Sequence, residues 1–251
     1  MLSRRSLIRS AGLVAPALIL PKPLRAQIGA PPLVFPGALT LAKVTHSFTA
    51  SASAAAFNPN PWNAGTLSLG TPAVNRYIVL AFAGLTGGSG VITAVTVAGV
   101  SCNQVGSLGS SGTARAAIFI TSAPVPTGAT GAVSISATGG ASSWNMGIGV
   151  YALYVPSSAV LSNPVTGVNG GNPESVTLAI PALSVAIAAS FNSGGGTAAW
   201  TNLTKDVQLS FTTPQASMAS TEFSAGASTT LTCNWSNGNS QVMAVAAWGI
   251  H

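Results

Sequence analysis

From residue 43 onward, short apolar or β-branched stretches alternate with clusters of Gly, Pro, Asn and Ser. This punctuation predicts strands at 44–50, 66–69, 76–83, 92–97, 114–121, 132–138, 145–155, 175–180, 183–191, 208–211, 216–223, 229–235 and 241–248. No segment of helical length carries a 3.6-residue apolar stripe with caps. Many short strands at close spacing predict an all-β fold, an antiparallel β-sandwich of jelly-roll or Ig-like type. The stretches YIVLAF (77–82) and VMAVAAW (242–248) are apolar at every position and read as central strands of a sheet covered on both faces. Residues 144–150 alternate instead. Trp144, Met146, Ile148 and Val150 share one face, and Gly147 and Gly149 leave the other flat enough to receive a strand, a subunit or a ring.

The order of patterns repeats. RYIVLAFAGL, a Gly-rich turn and a strand are followed by ARAAIFITS, a Ser-rich strand and MGIGVYALY. The second half runs LSVAIAASFN, SGGG, a strand, then ASMASTEF, STTLTCNW and QVMAVAAWGI. Two similar half-units, about 75–155 and 174–251, are therefore expected to pack into one sandwich spanning 43–251. Generic likeness among antiparallel β halves is the simpler alternative.

Composition sharpens this picture. Only 5% of the 251 residues are charged, against a usual ~25%, so the surface must be made of hydroxyls, amides and backbone. The formal charge of +6 comes mostly from Arg4, Arg5, Arg9, Lys22 and Arg25. Beyond them stand four cations and three acids, a net +1. That leaves too few cations for phosphate neutralisation, so nucleic acid is not an expected partner. Residues 3–9, SRRSLIR, match the twin-arginine (Tat) export pattern around Arg4 and Arg5, and an apolar run ends at Leu20. That run is far shorter than the ~20 residues of a membrane span. Residues 1–26 are read as a Tat-like signal cut after Ala26 or as a retained N-terminal anchor. Residues 27–42 are read as a Pro-rich linker.

Candidate chemistry is sparse. The body holds His46, His251, Glu174, Asp206 and Glu222. A carboxylate pair would require two of the acids to meet, Asp206 and Glu222 being the nearest such pair. A Ser-His-Asp set would require His46 or His251 beside Asp206. Solvation of turns and edges is the simpler reading, and no catalytic residue is assigned. No close-spaced ligand set exists for zinc or calcium, so no metal or cofactor is expected. The glycines at 87–90 and 194–196 lack the Lys of a phosphate loop and read as hairpin turns. Cys102 and Cys233 form either a disulfide in an exported chain or two buried thiols. Trp62 in a Pro-Asn loop, Trp200 near Asn202, and Trp235 beside Asn234 combine aromatic and amide groups, the chemistry that holds sugar rings. Plain packing competes with that reading at each position.

The run RYIVLAFAGL with ITAVTVAGV, then IFITSAPVPTGATGAVSISA, then MGIGVYALY, covering roughly 75–250 with its continuation, resembles β-sandwich proteins of phage and prophage virions. Those proteins serve as head (capsid) decorations, spikes or tail fibres. The resemblance implies a non-enzymatic structural or attachment protein on a virion surface. Its implied partners are other virion proteins, copies of itself in a homo-oligomer, and a host-surface glycan. The alternative is a Tat-exported bacterial surface or carbohydrate-binding protein, periplasmic or extracellular.

Overall fold

The computed structural model describes residues 42–57, 61–86, 90–139 and 144–251. The expected signal or anchor over 1–26 with Arg4 and Arg5, the linker short of Ala42, and the glycines 87–89 lie outside the described residues. All described regular structure is antiparallel β. Among the described residues no helix is long and apolar enough to cross a membrane.

Sixteen strands fall into two sets of eight. The first set is β1 (Thr45–Phe57), β2 (Trp62–Ser68), β3 (Arg76–Thr86), β4 (Val91–Val97), β5 (Val100–Ser111), β6 (Ala114–Thr121), β7 (Thr130–Thr138) and β8 (Trp144–Tyr154). The second set is β9 (Val165–Asn169), β10 (Glu174–Ile180), β11 (Ser184–Asn192), β12 (Ala198–Thr201), β13 (Thr204–Ser210), β14 (Gln215–Phe223), β15 (Ala227–Trp235) and β16 (Gln241–Trp248). The first set forms one sheet ordered β1-β8-β3-β6-β5-β4-β7-β2. It folds over at β5, which pairs with β4 at Val100 and Ser101 and with β6 from Cys102 onward. The second set forms β9-β16-β11-β14-β13 and β12-β15-β10. Adding eight to each strand number of the first order gives the second. The repeat thus spans 45–154 and 165–248, longer than the half-units expected from sequence. It differs in one respect: β12 and β13 are not joined in a ladder.

Three apolar cores lie between these layers. The first fills the sandwich made by β3, β6 and β8 against β4 and β7, with Ile78, Leu80, Phe82, Val95, Ile135 and Trp144. The second fills the β10-β15-β12 sandwich with Val176, Leu178, Ala186, Leu231 and Val245. The central core joins the two sandwiches through Val79, Ala81, Ile118, Tyr151, Ile187, Phe191, Met218, Val242 and Trp248. The antiparallel β-sandwich class expected from sequence is present, built as two sandwiches stacked face to face. Side chains alternate across a strand, so β3 and β11 each supply two cores and are apolar along most of their length. That is the physical origin of the runs YIVLAF and VAIAAS.

The flat face of β8 also finds its occupant. A Cβ on Gly147 would stand 2.9 Å from Leu209 Cδ1 and 3.1 Å from Phe211, and one on Gly149 would stand 3.1 Å from Met218. The second sandwich of the same chain therefore covers these glycines. A Gly147→Leu variant is expected to lose about 2–3 kcal/mol by overpacking this joint. Urea denaturation would read the loss, and a cost near zero would mean the joint is loose.

Three strands escape the sequence pattern. Glycines and serines interrupt β5, whose pairing with β6 shifts register between Val105 and Gly109. Gly106 there adopts φ +71°, and its missing side chain makes room for Thr166. Strands β9 and β12 are only 5 and 4 residues long, too short for a periodic signal.

Candidate functional site

The few ionisable side chains converge on the joint between the sandwiches. Tyr151 on β8 donates its hydroxyl to Asp206 Oδ2 on β13 at 2.9 Å. Ser220 on β14 donates to the same oxygen at 2.7 Å. With its proton committed to Asp206, Ser220 Oγ accepts from His46 Nε2 on β1 at 2.7 Å. The other ring nitrogen, Nδ1, lies 3.5 Å from Glu222 Oε1. Lys43 closes the row with a 2.7 Å pair to Glu222 Oε2. Lys43, His46 and Tyr151 belong to the first sandwich, and Asp206, Ser220 and Glu222 to the second. The row is a polar stitch across an apolar joint.

Burial pushes the Asp206 carboxyl up, against the pull of Ser220 and Tyr151. Burial and the Asp206 charge push the Tyr151 hydroxyl well up. Burial alone would raise Glu222, but Lys43 and the His46 N–H outweigh it and hold the carboxyl below its ordinary range. Ser, His and two acids thus do meet, as a serine-nucleophile reading would require. Yet Ser220 is only 3% exposed and its proton points to a carboxylate instead of to the imidazole. A nucleophile needs the reverse arrangement and an open approach. Sequence reasoning weighed His46 beside Asp206 and Asp206 beside Glu222 but passed over Ser220 and Tyr151, because residues 46, 151 and 220 adjoin only after the two halves stack.

Two further ionisable groups are sealed inside. Arg76 is 0% exposed and donates Nε to Val125 O, Nη1 to Leu69 O and Gly70 O, and Nη2 to Thr127 O and Gly128 O, at 2.7–3.2 Å. Glu174, also 0% exposed, accepts from Ser190 Oγ at 2.6 Å. Ser190 in turn accepts from Trp235 Nε1 at 2.8 Å. The second carboxyl oxygen, Oε1, has no partner, and burial pushes this carboxyl up to about 8.

The sequence-predicted sugar contacts separate. Trp235 is 2% exposed and belongs to the second sandwich's core; it is no ligand platform, because strand alternation turns it inward. Trp62 opens strand β2 opposite Ile135 instead of standing in a loop, half-buried against the first core. Trp200 is half-buried, and its Nε1 donates to Ser217 Oγ at 3.0 Å. Only Asn202 faces open space. It turns the chain from β12 to β13 at φ +62°, and its Nδ2 donates to Thr230 O at 2.8 Å. An open pocket of about 490 Å³ lies there, lined by Asn202, Leu203, Thr204, Thr221, Glu222, Phe223, Ser224 and Ala225.

The disulfide alternative for Cys102 and Cys233 is corrected: both thiols are free. Cys102 sits on β5 against the first core and Cys233 within that of the second sandwich, so the central core separates them. Burial pushes the Cys102 thiol up to about 12 and raises Cys233 further. Alkylation needs the thiolate. Iodoacetamide at pH 8 is therefore expected to label neither thiol in the folded chain and both in urea, read by intact mass. A native mass two protons lower would reveal a bond instead.

Among the described residues no three of His, Cys, Asp and Glu gather as metal ligands would. No protein-family model matches the chain, and no curated protein or solved structure matches it. The class rests on geometry: an all-β protein of two stacked antiparallel sandwiches with one repeated strand order.

Proposed function

We propose that this chain is a non-enzymatic structural or attachment protein, a component of a phage virion surface. One observation carries the non-enzymatic part. A catalytic centre needs titratable groups converging on an accessible cleft. Here Tyr151, Asp206 and His46 are tied into the joint, and Arg76 and Glu174 are sealed in the cores. Ionisable groups committed to internal contacts suit a rigid display body. The virion part is supported by the sequence resemblance over residues 75–250.

Particles from a producing culture, banded on a density gradient and analysed by N-terminal sequencing, test the proposal. The expected result is the chain in the particle band beginning at Met1 or Leu2. A chain beginning at Gln27 in the periplasmic or secreted fraction, and missing from particles, would overturn it in favour of an exported surface protein.

A further inference from the structure

We propose that the pocket beside Asn202 binds a neutral, hydroxyl-rich ligand, a hexose unit of a glycan. The inference deepens the attachment reading and takes its biological sense from it. The chemistry comes from the pocket alone.

The pocket forms where two turns meet. Asn202 and Leu203 connect β12 to β13, and Ser224 and Ala225 lead from β14 into β15. Strand pairing fixes their spacing, since Thr204 stands opposite Ser220, two residues before Glu222. The Nδ2 bond to Thr230 anchors the Asn202 amide, which leaves Oδ1 as its acceptor for a ligand. Thr204, Thr221 and Ser224 line the pocket and add hydroxyls that both donate and accept. Phe223 supplies an apolar ring whose inner side packs on the second sandwich's core. Glu222 lines the same space with its carboxylate one-third exposed.

Charge selects the ligand class. The one anion at the rim, Glu222, is already neutralised by Lys43 at 2.7 Å. A phosphate, sulfate or sialic acid would meet that carboxylate with no arginine to receive it. A metal ion would find a single carboxylate. A purely apolar ligand would strand the hydroxyls. A hexose suits this lining: its C–H face can lie on Phe223, and its hydroxyls can exchange hydrogen bonds with Asn202, Thr221 and Ser224. The volume of about 490 Å³ lies within the roughly 300–1,000 Å³ of small-ligand sites. The open mouth lets a longer glycan continue outward.

The full chain is screened on an array of neutral, sialylated and sulfated glycans. Glucose, galactose, mannose and N-acetylglucosamine are titrated in parallel by ligand-observed NMR. Saturable binding of a neutral sugar is expected, with Kd on the order of 1 mM or tighter. Asn202→Gly, which keeps the left-handed turn, is expected to weaken it about tenfold. Ser224→Arg, at an exposed turn, is expected to plug the pocket and abolish binding while near-UV circular dichroism stays unchanged. No neutral sugar bound, binding restricted to anionic glycans, or binding that survives Ser224→Arg would each overturn the proposal. A particle-borne chain that binds no glycan overturns the pocket alone. A glycan-binding chain missing from particles overturns the virion reading alone.

Discussion

Replacing Arg76 with alanine is expected to cost at least about 4 kcal/mol, enough to unfold many domains of marginal stability. The guanidinium has five N–H donors and no acceptor, and all five go to backbone carbonyls. Leu69 and Gly70 follow β2, while Val125, Thr127 and Gly128 lie between β6 and β7. The backbone of Arg76 adds a sixth tie, accepting from Val125 N at 2.7 Å. Hydrogen bonds to a charged group contribute about 1.5–3 kcal/mol each, and a carbonyl left buried without a partner carries its own penalty. Arg76→Lys is expected to recover less than half of the loss. An ammonium has three donors at one point and cannot span two loops as a planar fork does. Urea denaturation at constant m-value checks both variants. A cost below about 1 kcal/mol for alanine would show that water replaces the fork.

Replacing Glu174 with glutamine is expected to stabilise the protein at pH 9 by about 3–5 kcal/mol more than it does at pH 4. The folded carboxyl titrates near 8 because burial opposes its charge, against an ordinary value of 4.5. Below about pH 4.5 both folded and unfolded chains keep the proton, and the residue costs nothing. Between 4.5 and 8 the unfolded chain releases its proton while the folded one retains it. The unfolded state then binds fewer protons, so stability falls as pH rises. Above 8 the loss levels off. Each unit of difference is worth about 1.4 kcal/mol, which sets the size of the effect. Glutamine cannot ionise and flattens the curve. Paired urea titrations of the two proteins at pH 4 and 9 give the difference directly, and equal effects at both pH values would place the Glu174 carboxyl in contact with water.

Both residues show where sequence reasoning stops. The all-β class was legible because alternation and β-branched runs are local properties, and the doubly apolar stretches 77–82 and 242–248 are indeed interior strands β3 and β16. Those runs could not tell which core each face would meet, because the partner of each face comes from a distant part of the chain. Arg76 stands at the start of the expected strand 76–83, and Glu174 read as one of three scattered acids that solvate turns and edges. Nothing adjacent in sequence announces that loops 50 residues away will wrap the first, or that Trp235 and Ser190 will close over the second. At the candidate site Asn202 was legible through its amide close in sequence to the Trp200 ring. Thr204, Thr221 and Ser224 are ordinary Ser/Thr positions in a chain full of them, and only the pairing of β13 with β14 makes them neighbours.

The repeated strand order also bears on dilution. Two separate eight-stranded chains joined through the same apolar faces would obey mass action and part below their dissociation constant. Here only residues 155–164 separate β8 from β9. A connection that short holds the partner at an effective concentration on the order of millimolar or more. Opening of the joint of Val79, Ile187, Phe191 and Trp248 is therefore an intramolecular equilibrium, and dilution does not shift it.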